Sequence, residues 1–70
     1  MYAWIVEDSS TATPIYFTEY THAHAYFRQR VEFLGRNVFK EDPYLLEESL
    51  KYGVYESGDG CFVMLKLIEQ

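Results

Sequence analysis

Cysteine is almost missing from this chain. The 70 residues hold one, Cys61, so no disulfide can form within it. Histidine is nearly as scarce, at two residues, His22 and His24. No run approaches the roughly 18 apolar residues that span a membrane. The start, Met1-Tyr2-Ala3-Trp4-Ile5-Val6, meets Glu7-Asp8 at once. It lacks the basic region and long apolar core of a signal peptide, so a cytoplasmic protein is the expectation. Basic residues are also in deficit, six against eleven acids, for a net charge of −5. Arg28, Arg30, Arg36 and Lys40 lie close together with only Glu32 among them. That leaves Lys51 and Lys66 against the other ten acids. Such a balance speaks against direct nucleic-acid binding, which needs a broad basic footprint. It permits attraction to a basic partner surface.

Aromatic residues, by contrast, are plentiful: 19% of the chain, with seven tyrosines among them. A domain this small can bury only part of that number. Tyrosine tolerates the boundary of core and water and is favoured at protein interfaces. Seventy residues make one domain, 1–70, near the lower limit for a self-sufficient core.

The longest periodic segment runs from Thr18 to Gly35. Tyr20, Ala23, Phe27, Val31 and Leu34 are spaced by three and four residues, as a helix packed on a core requires. Thr18 or Thr21 can cap its start. Gly35 suits a left-handed residue at its end. Tyr26 and Phe33 form a second lane, which calls for a neighbouring helix or an outside partner. Arg30 lies between those two rings and is placed to stack on them. Arg28 and Arg36 are placed to pair with Glu32.

Strands are expected around this helix. Tyr2 to Val6 is apolar on both faces and reads as central. Pro14 to Thr18 opens on a proline, which suits an edge. The link from Asp8 to Thr13 is polar and turn-rich. Val38 and Phe39 read as a plug for the end of the core. Asp42 and Pro43 then form a helix start, and a second helix follows over Tyr44 to Tyr52, ended by Gly53. Leu46 and Leu50 should face inward, with Tyr44, Glu47, Glu48 and Lys51 in water. Val54 to Glu56 is a short strand. Ser57-Gly58-Asp59-Gly60 is a hairpin turn. Cys61 to Ile68 is the longest strand. The fold class is therefore α+β: a two-layer β-β-α-α-β-β chain with a four-stranded, mostly antiparallel sheet in the order 2-1-4-3. The helices cover one face. The other face needs a cover, so a homodimer through it is one reading of the chain.

The chemical motifs fail on spacing. His22 and His24 are two apart on a helix and point about 200° from each other, so they cannot share a metal ion. Cys61 has no base near it in the chain. The Ser57–Gly60 turn lacks the lysine and the following helix of a phosphate loop. It also lacks the spaced carboxylates of a calcium loop. Glu41-Asp42 and Glu47-Glu48 are accounted for by helix capping and a solvent face. No catalytic, cofactor-binding or metal-ligating residue is assigned, and no cofactor is expected. A ligand pocket lined by Trp4, Tyr20 and His24, in a small-ligand binder or enzyme, is a third reading.

The leading reading is a non-enzymatic, acidic protein-binding module. It would act as an inhibitor or adaptor docking on a basic surface of a larger assembly. By analogy of size and charge alone, small acidic inhibitors of restriction and CRISPR machines work this way. The expected contact residues are Tyr44, Glu47, Glu48, Tyr55, Glu56 and Asp59.

Overall fold

The computed structural model describes residues 2–11 and 13–69; Met1, Ala12 in the polar link, and Gln70 lie outside them. Seven elements follow in order: β1 (Tyr2–Asp8), β2 (Ile15–Phe17), α1 (Tyr20–Leu34), α2 (Val38–Glu41), α3 (Pro43–Tyr52), β3 (Val54–Glu56) and β4 (Phe62–Glu69). The four strands form one antiparallel sheet in the order β2-β1-β4-β3. The two long strands are central, and the three-residue strands guard the edges. Short edge strands limit unwanted pairing with other chains.

The pairing register sorts side chains between two faces. Trp4 opposes Phe17 and Leu67, and Val6 opposes Ile15 and Leu65. Tyr55 opposes Val63. These residues share the helix-covered face. The main core cluster is Val6, Phe27, Val31, Tyr55 and Val63, with Leu46 and Leu50 packed against it. Ala23, Phe27 and Val31 of α1 are fully buried, as their spacing requires. Tyr20 and Leu34, at the two ends of the same stripe, stay partly open.

The other face carries no helix. Ile5 sits there between Tyr16 and Lys66, and Ala3 opposes Ile68. Ala3 and Ile5 are each only 5% exposed yet stand apart from the helix-side cluster. A central strand of a four-stranded sheet is flanked on both sides, so its small apolar residues are shielded even without a covering layer.

Four local expectations are corrected. The residue before α1 is Glu19, with no side-chain cap, rather than Thr18 or Thr21. Tyr20 already packs edge-on against Trp4, at 4.8 Å between ring centroids, and this fixes where the helix begins. Gly35 has φ −98°, not a left-handed value. The chain does not reverse there, because the Gly35 carbonyl accepts from Phe39 N–H at 2.9 Å and leads into α2. Glycine is needed for space: a β-carbon at position 35 would overlap the Phe39 ring. Val38 is 43% exposed, so Phe39 alone plugs the core, edge-on to Tyr55 at 5.3 Å. Glu32 pairs with Arg28 at 2.6 Å. Arg36 lies beyond the helix end and out of register with Glu32. It donates instead to the Phe33 carbonyl, with its guanidinium 4.6 Å from the Phe33 ring centroid.

The second lane of α1 is met by the sheet rather than by a helix. Tyr26 packs on Phe17 of β2 at 5.7 Å, and Phe33 remains 53% exposed.

Candidate interaction surface

Local chemistry sets α3 firmly. Asp42 accepts a hydrogen bond from Tyr44 N–H at 3.2 Å, and Pro43 occupies the first helical position. Proline belongs there because its missing N–H would have no partner anyway. Gly53 closes the helix at φ 73°, a value that favours glycine, and donates its N–H to the Ser49 carbonyl at 2.9 Å. The buried Ser49 hydroxyl donates to the Leu45 carbonyl at 2.7 Å, so it enters the core satisfied.

With Leu46 and Leu50 turned to the core, helical geometry turns Tyr44, Glu47, Glu48 and Lys51 outward. All four are exposed. Tyr44 is 74% exposed, and Tyr52 on the flank is 70% exposed. Among the described residues, neither Glu47 nor Glu48 takes part in an ion pair. The pairs that do form are Asp8–Arg30, Glu7–Lys66, Glu32–Arg28 and Glu19–His22. Lys51 shares the stripe, but its ammonium lies 5.5 Å from the Tyr52 ring centroid. The result is an open strip of aromatic surface with a net negative charge.

The other three expected contact residues do not join it. Tyr55 is 7% exposed and belongs to the core; the alternation of β3 turns it inward against Phe39 and Val63. Glu56 is exposed but opposes Phe62 on the helix-free face, away from α3. Asp59 sits at the tip of the β3–β4 hairpin. Its carboxylate accepts from the Ser57 hydroxyl and from Cys61 N–H at 3.3 Å. The Ser57 bond, seconded by the Cys61 amide, holds Asp59 below the usual carboxylate range. Its charge supports a turn.

A second polar centre had no signal in the sequence. Asp8 ends β1 on the helix-covered face, and its side chain is 1% exposed. Arg30 Nε donates to it at 2.5 Å, Ser10 N–H at 2.9 Å and the Ser10 hydroxyl at 2.5 Å. Arg30 Nη2 also donates to the Ser10 hydroxyl at 2.9 Å. Burial by itself would raise the Asp8 carboxyl. The donors from Ser10 and Arg30 outweigh burial and hold it below its ordinary 3.8. A carboxylate so placed is a weak base, and Ser10 gains no nucleophilicity from it. The cluster pins the β1–β2 loop to α1. Arg30 still reaches Phe33, at 5.2 Å, but its main partner is Asp8, 22 residues away in the chain.

The same loop borders an open cleft of about 330 Å³, lined by Glu7, Asp8, Ser9, Thr11, Thr13, Pro14 and Phe62. Trp4, Tyr20 and His24 are not among the residues that line this cleft. Their rings pack on one another in a row that continues to Phe27. His22 points elsewhere, toward Glu19 at 3.7 Å. Comparison of the chain with protein-family models, with curated proteins and with solved structures found no match.

Proposed function

We propose that this chain is a non-enzymatic protein-binding module, an inhibitor or adaptor that docks α3 on a basic surface of a larger assembly. One observation carries the reading. Tyr44, Glu47 and Glu48 form an exposed strip on one helix face, with two adjacent carboxylates that take no part in ion pairs among the described residues, whereas Glu7, Asp8, Glu19 and Glu32 each meet a basic side chain. Free carboxylates beside exposed tyrosines suit a partner rich in arginine or lysine. Charge steers the encounter, and the rings supply contact area at low entropic cost. Nucleic-acid-processing assemblies present such basic surfaces, because they must hold phosphate.

The test compares wild type with the double reversal Glu47→Lys and Glu48→Lys in affinity capture from extracts of the source cells. It is run at low salt and again near 0.5 M. Wild type should retain a partner at low salt and lose it as salt rises; the double variant should retain little at either. Equal capture by the two proteins, with no dependence on salt, overturns the reading.

A further inference from the structure

The helix-free face of the sheet has the composition of a surface meant to be covered. Half-covered antiparallel sheets ordinarily turn polar residues to water on the open side. Here the register places Ile5, Tyr16, Val54, Phe62, Met64 and Ile68 there. Only Glu7, Lys66 and Glu56 bring charge, and Lys66 binds Glu7 at 3.2 Å across the face. Tyr16 is 56% exposed and Val54 38%.

We propose that this face is a dimer interface for a second copy of the chain, with two sheets stacked back to back and the helices outside. Charge selects that occupant. The chain carries −5 overall, yet two of its eleven acids lie on this face and one of those is paired with Lys66. Two copies that meet here keep α3 and its carboxylates on opposite outer sides, so their repulsion is least in this arrangement. A strongly basic partner would find little on this face to bind. Size sets the strength. Strands about 4.8 Å apart, with about 3.3 Å per residue, give roughly 400 Å² in projection per copy. Side-chain relief brings the total near 1,000 Å², the lower end of specific interfaces. An interface of that size suits a reversible dimer rather than an obligate one. Stacked sheets also enlarge a core that is small for a lone domain.

Sedimentation velocity from about 1 to 500 μM tests this. The apparent mass should rise with concentration from 8.3 kDa toward twice that value. Tyr16→Lys, at an exposed edge position, and Met64→Lys, near the centre, should each weaken association at least tenfold, with circular dichroism reporting whether the fold is kept. Mixed-label NMR of wild type supplies a readout that needs no variant: contacts between copies should join Tyr16, Met64 and Ile68 side chains. The double reversal of Glu47 and Glu48 should leave association unchanged, which separates this proposal from the docking role of α3. A mass of 8.3 kDa at every concentration overturns the proposal and leaves the face to a different protein. A dimer without those cross-copy contacts, or one indifferent to a folded Tyr16→Lys, overturns it as well.

Discussion

Asp8 shows what one residue contributes when its partners come from far along the chain. Its carboxylate is nearly inaccessible and holds three donors. Replacing it with asparagine keeps the shape but strands Arg30. Breaking a buried pair typically costs about 3–5 kcal/mol. Arg30 is 24% exposed and can turn partly to water, so Asp8→Asn should cost about 2–4 kcal/mol at pH 7. The pH dependence follows from the direction of the shift. The folded carboxyl lies below 3.8, so its stabilisation is complete above that value and is lost as pH falls through the folded one. Urea titrations should show a constant gap between wild type and Asp8→Asn from pH 7 down to about pH 5, closing in stronger acid. A gap of the same size at pH 2.5 and pH 7 would contradict this account. Gly35 makes a second case. Its φ is open to any residue, so the demand for glycine is steric. Gly35→Ala should push Phe39 off Tyr55 and cost about 1–3 kcal/mol, read as a lowered Tm.

Among elements, α1 and α3 hold the sheet with different grips. Phe27 is fully buried in the centre of α1, whereas Leu50 is only partly buried on α3. Phe27→Ala should therefore cost about 3–5 kcal/mol and Leu50→Ala nearer 2 kcal/mol, near the low end for buried leucines. Chemical denaturation of the two variants checks the ranking. An equal or larger loss for Leu50→Ala would mean that α3 is gripped more tightly than its burial indicates. The lighter grip on α3 is compatible with the docking role proposed for its outer face. The double reversal of Glu47 and Glu48 touches that outer face alone. Its cost to folding should stay below about 1 kcal/mol per charge, chiefly from new repulsion with Lys51 three and four residues on.

At the scale of the whole molecule, protection should follow the strand order. β1 and β4 are paired along most of their length, while β2 and β3 contribute three residues each at the edges. Amide hydrogen exchange should be slowest at Val6, Val63, Phe27 and Val31, where ladder or helix bonds coincide with full burial. It should be fastest in β2, where Ile15 and Tyr16 are exposed. Protection in β2 equal to that in β1 would show that the sheet opens only as one unit. In a dimer joined through the helix-free face, the central strands should gain further protection as concentration rises.

Periodicity along the chain determined most of the architecture. The α1 stripe, the Asp42-Pro43 start and Gly53 stop of α3, the glycine turn before β4, and the two-sided apolar character of β1 are all local signals. Together they dictated the element order apart from the short α2, which had read only as a plug, and the doubly apolar first and last strands implied the order 2-1-4-3 that the sheet adopts. Local pattern also turned Tyr44, Glu47 and Glu48 outward, because a helix with Leu46 and Leu50 inside has no other arrangement. Tertiary structure decided what depends on distant neighbours. Tyr55 looked like a surface tyrosine until β3 paired with β4 and its alternation faced Phe39. Glu56, one residue on, went to the opposite side of the sheet for the same reason. Gly35 does end α1, as its local sequence indicated, but without a left-handed conformation, and its need for glycine comes from the ring of Phe39. The Asp8–Arg30 pair was invisible because 22 residues separate its members. No short-range pattern records which loop a helix will meet. That meeting is set by strand register and helix placement, which arise only when the whole chain packs.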